Sequence, residues 1–510
     1  MTENESTGRP FREVQVARAG PFGPSISTTD MRLILPATVP LAVSPERAVT
    51  DAAEVLLGVA AVLSFTWVLL RRRIGLARWP LLILALGALV AGAGLGAWAL
   101  YEKRPRTVEG SPTVEFQPDR KPSAENAGRE EPWPTYGRDA QRTHFAPFGH
   151  RPPFRPIWSV GVHSLVEFPP AVAYGHVYIA TERGGVFWAV AAATGKVSWK
   201  RKISHCAAAS PTVSDGVVYQ AFMHAFPCQG HLPDARGFLI AWDARTGKRL
   251  WSFPAGAIES TPLIVGRTLY FGAWDHRLYS LALRGRKHPR LRWTFPADDQ
   301  IIAAPAYEDG TLYVATSAGS LYALDARTGR QRWHSESFTR FGRREYFYAT
   351  PTVAYGRVYI GNADGTVYAF GAASGRLLWA RQVGTYVYTA AAVWRRTVYV
   401  GTWDGYFVAL DAATGDVRWK HDSQGGMTGA PTVMAGLVYY SSLGRMDQSE
   451  HQRRVESGPA RTFALNARTG RLVWSFADGM FSPIVADNKR VYLSGATRVF
   501  ALVSSGKERR

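Results

Sequence analysis

Three groups of side chains in this chain stand at spacings that suggest chemistry. The first is His205-Cys206, followed by His224, Cys228 and His231. Its two thiols can close a disulfide, or, reduced, join the imidazoles as a zinc set. The two outcomes exclude one another, because the metal needs both thiols free. The second group is Asp275 in Ala-Trp-Asp-His and Asp404 in Thr-Trp-Asp-Gly, carboxylates of the kind that take a proton from a substrate. Aspartate there is also what turn geometry asks for, so neither receives a catalytic role. The third is the run 334–349, HSESFTRFGRREYFYA. Its Phe338, Arg340, Phe341, Arg343, Arg344, Tyr346, Phe347 and Tyr348 form a candidate binding face for an anionic or sugar-like ligand, or for a partner's acidic segment.

A repeat must position these groups. From Trp199 to Trp474 the chain closes seven phrases of about 40–55 residues on a tryptophan, and six closings share a Thr-Gly or Ser-Gly turn. Ala-Thr-Gly-Lys-Val-Ser-Trp at 193–199 and Ala-Thr-Gly-Asp-Val-Arg-Trp at 413–419 are two of them. Within 349–379, three turns at Tyr355-Gly356, Asp364-Gly365 and Ser374-Gly375 separate four short alternating stretches. Four antiparallel strands in one repeating unit make a propeller blade.

First strands fall near Pro170, Pro211, Pro262, Pro305, Pro351, Ala391 and Pro431, and an eighth unit starts at Ser482-Pro483 without its fourth strand. The upstream stretch around Trp158 can supply that strand and close the ring. The expected fold is therefore all-β, an eight-bladed propeller spanning 133–510. Trp158, Trp199, Trp251, Trp293, Trp333, Trp379, Trp419 and Trp474 read as wedges between blades. The third unit departs most, with 284–290 in place of its closing turn. In such blades the second hairpin turn and the connection to the next blade share one face. The long insertions at 221–237, 334–349 and 441–460 all fall on it, as do Cys206 and Cys228, a candidate disulfide.

Upstream, residues 1–50 read as a loose extension, with Met31 as an alternative start. Two apolar stretches, at about 54–70 and 80–100, are long enough to cross a bilayer. Arg71, Arg72, Arg73 and Arg78 crowd the short connection and mark it as cytoplasmic, which places the propeller outside a plasma membrane. Small residues from Gly87 to Gly96 suit close helix packing. The polar, proline-rich stretch 101–132 reads as a semi-extended tether. Lys+Arg of 60 against Asp+Glu of 40 gives a formal charge of +20. The arginines are scattered through turns and strand ends without a basic block, so no nucleic-acid partner is expected.

The closing phrases Trp242-Asp-Ala-Arg-Thr-Gly, Leu324-Asp-Ala-Arg-Thr-Gly and Leu410-Asp-Ala-Ala-Thr-Gly resemble the pyrroloquinoline-quinone (PQQ) repeat of eight-bladed quinoprotein propellers. The leading segment Trp133-Pro-Thr-Tyr-Gly-Arg-Asp-Ala is similar to the segment that opens the propeller in that superfamily. The resemblance implies two functional classes. One holds PQQ-dependent alcohol and sugar dehydrogenases; the other holds non-catalytic propellers such as the lipoprotein of the outer-membrane β-barrel assembly machine. A dehydrogenase of that family implies Ca²⁺ under the quinone, oxygen ligands, an aromatic floor and often a disulfide between adjacent cysteines. Here the cysteines are not adjacent and no Cys-x-x-Cys-His haem site is present. The expected function is a membrane-anchored binding or scaffold module of a bacterial envelope, with an envelope protein, polysaccharide or anionic ligand as partner and no cofactor. A PQQ/Ca dehydrogenase is the alternative.

Overall fold

The computed structural model describes residues 45–70, 78–120, 131–182, 185–225, 235–423, 425–443 and 461–505. Among the described residues eight four-stranded antiparallel blades follow one another along the chain, the seventh joined by Phe145–Ala146 parallel to its inner strand. Their inner strands are short, from Ala171–Ala173 in the first to Val485–Ala486 in the last. Six of the eight start directly after a proline, where a missing N–H costs no ladder bond. The eighth sheet takes its outer strand from upstream: Phe154–Gly161 pairs antiparallel with Arg498–Ser504, with Trp158 opposite Ala501. The two ends of the propeller are thus hydrogen-bonded to each other, and the eight-bladed ring expected from the repeat is closed. The apolar clusters lie between neighbouring blades; one joins Phe187 and Trp199 of the first to Val218 and Trp242 of the second.

The closing phrase has a specific geometry. The Trp199 indole N–H donates to the Ala244 carbonyl in the closing turn of the next blade, and Tyr178 donates its hydroxyl to the same oxygen. Trp333 and Tyr313 do likewise at Ala372, Trp379 and Tyr359 at Ala412, and Trp419 and Tyr399 at Ala467. The glycine of the receiving turn lies flat on the ring. Gly415 has φ +77°, and a Cβ there would come within 2.8 Å of Trp379. Trp158 reaches Ala192 of the first blade in the same way, so the pattern crosses the closure point. Trp251 faces the irregular third blade, and its buried Nε1 has no hydrogen-bond partner. That break follows from the sequence, because 284–290 replaces the turn that would have supplied the acceptor.

Residues 133–146 run across the axis and complete the inner strands. Backbone N–H groups of Val213, Tyr307, Val353, Val393 and Val433 donate to carbonyls of Pro134, Ala140, Gln141, Thr143 and His144 at 2.7–3.0 Å. Trp133 exchanges two such bonds with Val172. Every one of these N–H groups lies two residues after the start of its blade. An inner strand has no neighbour on its axial side, and this segment satisfies those donors. Arg142, fully buried, holds the segment in place by donating to the Pro305 carbonyl at 3.1 Å and to Thr135 Oγ1 at 3.0 Å. Burial lowers its pKa to about 10.

Two helices precede the ring, α1 (Pro45–Leu70) and α2 (Arg78–Glu102). Stretches of 22 and 21 residues within them are long and apolar enough to cross a membrane. The first helix starts well before residue 54, so its apolar stretch is longer than the sequence pattern suggested. Ala53, Ala60, Ala85 and Ala99 are buried, and a Cβ on Gly92 would come within 3.0 Å of Leu57. Gly87, Gly94 and Gly96 face open space, so one glycine and four alanines make the close contact rather than the whole small-residue run.

The stretch after α2 differs from the tether its composition suggested. Val108 pairs with Ala380 on the outer strand of the fifth blade, and Gly110 donates to the Thr414 carbonyl. Arg357, itself buried, gathers the carbonyls of Ser111, Val114 and Glu115 together with Ala412. Arg120 then pairs with Glu308 at 3.0 Å. A polar segment with no core of its own is ordered here because backbone carbonyls find a buried guanidinium. The remainder of that stretch, 121–130, lies outside the described residues, as do 1–44 and the arginines at 71–73.

Candidate functional site

The connections that enter the blades meet around a funnel over the axial segment. Tyr136 lies at its floor, and Glu167, Glu259, Ile302, Tyr348, Thr350, Tyr388 and Ser482 are among its walls. The seven wall residues come from six inter-blade connections, Tyr348 and Thr350 sharing one, so ring closure is what assembles the site. Glu259 is its polar centre. The Tyr348 hydroxyl donates to Glu259 Oε1, across 89 positions of sequence. Desolvation raises the Glu259 pKa to about 7, with Glu182 adding to the rise, while hydrogen bonds from Tyr348 and Trp274 oppose it. Tyr348 and Tyr388 are both pushed well above the usual phenol value, first by burial and then by the Glu259 charge. Both remain neutral phenols, with Tyr348 donating to Glu259.

One wall is aromatic. The rings of Tyr348 and Tyr388 are 4.0 Å apart, Tyr388 stacks on Tyr386 at 5.3 Å, and Tyr386 donates to the Tyr346 hydroxyl at 2.6 Å. Trp403 extends the row at 6.4 Å from Tyr388. Tyrosines paired by hydroxyl bonds present flat apolar faces with fixed polar tips, a surface suited to a ring or a polyol.

The run 334–349 is divided rather than presented as one exposed surface. Phe347 is buried in the core between the fourth and fifth blades, and Phe338 packs against that cluster. Tyr348 lines the funnel, and Tyr346 joins the row behind it by accepting from the Tyr386 hydroxyl. Thr339–Arg340 and Arg343–Arg344 form a small hairpin that reaches α2. Arg340 is buried; it pairs with Asp364 at 3.4 Å and donates to the Glu102 carbonyl at 3.2 Å. Arg344 is drawn to Glu336 and to the Ala318 carbonyl. Of the four cationic and aromatic residues at the hairpin tip, Arg343 is the most open.

Asp275 and Asp404 brace their loops. Asp275 accepts from the Tyr279 hydroxyl and the Gly256 N–H, and Asp404 from the Thr385 N–H at 3.1 Å. Cys206 is disulfide-bonded; Cys228, the other cysteine of the sequence, lies outside the described residues with His231. The strands around Cys206 are joined by its N–H to the His224 carbonyl and by a bridge between His205 and Ala225. His224 points to Trp274 at 6.2 Å.

A calcium ion under a quinone would take several oxygen ligands at once. Among the described residues no three His, Cys, Asp or Glu side chains stand together, and the funnel carboxylates Glu167 and Glu259 do not make that set. Sequence reasoning missed Glu259, Tyr388 and Tyr136. Glu259 lies in the plain stretch Ala-Ile-Glu-Ser before a blade, and only a carboxylate in an otherwise apolar connection hinted at it.

The comparisons fit this architecture. The stretch 29% identical to tetrathionate hydrolase of Acidithiobacillus ferrooxidans covers 25% of this chain and 28% of that protein. The chain spans less than half the length of the curated relatives it matches. Among solved structures, BamB from Moraxella catarrhalis superposes with TM-score 0.54 at 17% identity, over 69% of this chain and 99% of that one. A europium-containing methanol dehydrogenase superposes with TM-score 0.57 at 11% identity, over 77% and 99%. At these identities both show the fold alone. The family described as outer membrane protein assembly factor BamB, a PQQ-type repeat family, matches residues 155–288, 286–393 and 364–509. With most of the chain covered, the protein belongs to this PQQ-repeat BamB family.

Proposed function

We propose that the chain is a two-pass membrane protein whose propeller stands outside the plasma membrane and binds an envelope partner or ligand at the funnel face, without catalysis. The Arg-rich connection between the apolar stretches supports the orientation. The funnel carries the reading: Tyr348 and Tyr388 stand on its wall with the carboxylates Glu167 and Glu259, an ordered aromatic and acidic recognition surface. The family's description as an assembly factor agrees with a scaffold role.

A second reading, a PQQ- and calcium-dependent alcohol or sugar dehydrogenase, is favoured by Glu259, whose pKa of about 7 suits a general base. Titration of the purified protein with PQQ and Ca²⁺ separates the two. The proposal expects no stoichiometric cofactor absorbance and no alcohol- or sugar-dependent dye reduction. Tight uptake with turnover lost in Glu259→Gln would establish the dehydrogenase instead.

A further inference from the structure

The contact between α2 and the fifth-blade connection has a geometric consequence. An apolar stretch from Leu82 to Glu102 is about 30 Å long, the thickness of the hydrocarbon layer. Trp98 lies one turn inside its end, about 6 Å below Glu102. The Phe341 ring meets Trp98 edge-on at 5.8 Å. The Phe341 N–H faces Glu102 Oε2 at 3.4 Å, and Arg340 donates to the Glu102 and Arg104 carbonyls at 3.2 and 3.4 Å. Arg106, paired with Glu102 at 2.8 Å, donates in turn to the Thr339 carbonyl at 2.5 Å. The hairpin 339–344 is therefore held at the level where the helix leaves the bilayer.

That hairpin belongs to the funnel face. It connects the outer strand of the fourth blade, Gln331–Glu336, to the inner strand of the fifth, Thr352–Ala354, and continues to Tyr348, which lines the funnel. We infer that the propeller is seated with its funnel face against the headgroup layer of an anionic bilayer, with Phe341 at the interface and the funnel mouth turned toward the lipid. This rests on the membrane-anchored reading of the two helices.

The chemistry around the contact fits such a layer. Trp98 and Tyr101 are 42% and 60% exposed in the isolated chain, as expected for rings of an interfacial belt. Arg343, paired with Glu345 at 3.4 Å, keeps 54% of its side chain open, and Lys103 and Arg104 at the end of α2 are exposed. Cations at this depth meet lipid phosphates, and their attraction grows with anionic lipid. The opposite face is fastened differently: there the strap 108–120 is bonded to the hairpin turns, so the connection cannot lengthen freely and let the propeller swing away.

The test uses the full chain in phosphatidylglycerol-containing vesicles under non-reducing conditions. An environment-sensitive fluorophore is placed at Phe341→Cys, and separately at Ala193→Cys in a closing turn on the opposite face. Acyl-chain nitroxide lipid should remove most of the fluorescence at 341 and little at 193. Arg340→Ala, which releases the hairpin from Glu102, should restore much of the signal at 341 while a label at 193 is unchanged. Equal, weak quenching at both sites in a chain that resists alkaline extraction would overturn the seating and leave the anchor standing. Stronger quenching at 193 would overturn it by reversing the orientation. Extraction by alkali would remove the anchor itself, and the inference with it.

Discussion

On the face that carries the closing turns, six of the eight junctions repeat one clasp: an indole N–H given to a turn of the next blade. On the funnel face the connections between blades differ in length and in residue type, from 257–262 to the run 337–351. The two faces share one ring of strands, so the difference is not one of fold. Turns with a single geometric task settle on one solution and repeat it. Connections freed of that task diverge, and the buried carboxylate, the tyrosine row and the docked hairpin all arise there. The turn face holds the ring together, and the funnel face distinguishes this chain from a generic propeller.

Three measurements sharpen that contrast. The largest effect belongs to the clasp. Trp379→Ala empties a fully buried site and should lower unfolding stability by about 3–5 kcal/mol, read from the denaturant midpoint. Tyr388→Ala on the funnel wall should cost clearly less, because part of its ring already borders open space. Equal losses would remove the division between a stabilising and a recognising face.

A smaller effect is tied to pH. Glu259 ionises near 7 in the fold against an ordinary value of 4.5, so the folded chain binds the proton more tightly than the unfolded one. Stability should therefore fall as pH rises from about 4.5 to 7 and level off above. The change is about 2 kcal/mol, kept modest because the carboxylate borders the funnel. Glu259→Gln should flatten that slope. A slope unchanged in the variant would show that other groups set it.

The smallest effect compares two junctions. Trp379→Phe removes a 3.1 Å hydrogen bond to Ala412, whereas Trp251→Phe removes an N–H that has no partner. The first should cost about 1 kcal/mol more than the second. Equal costs would mean that ring packing alone, not the indole bond, closes the junctions.

The sequence alone determined the ring. A period of one blade, a proline before most inner strands and a glycine under six of the eight tryptophans are local demands, and each leaves a residue type at a fixed spacing. The orphan strand around Trp158 was legible for the same reason, since a unit lacking its fourth strand needs one supplied from elsewhere. Tertiary structure decided the rest. Glu259 gains its raised pKa only when ring closure sets it beside Tyr348, and no local pattern marks a residue whose partner lies in another blade. The stretch after α2 reads as a tether because its composition cannot form a core, yet Arg357 offers its carbonyls a buried donor. Arg340 reads as an open cation and is instead consumed by Asp364 and the end of a helix. Periodic backbone geometry is encoded locally, while burial and charge pairing depend on which distant surfaces meet, and that is set only once the ring has closed.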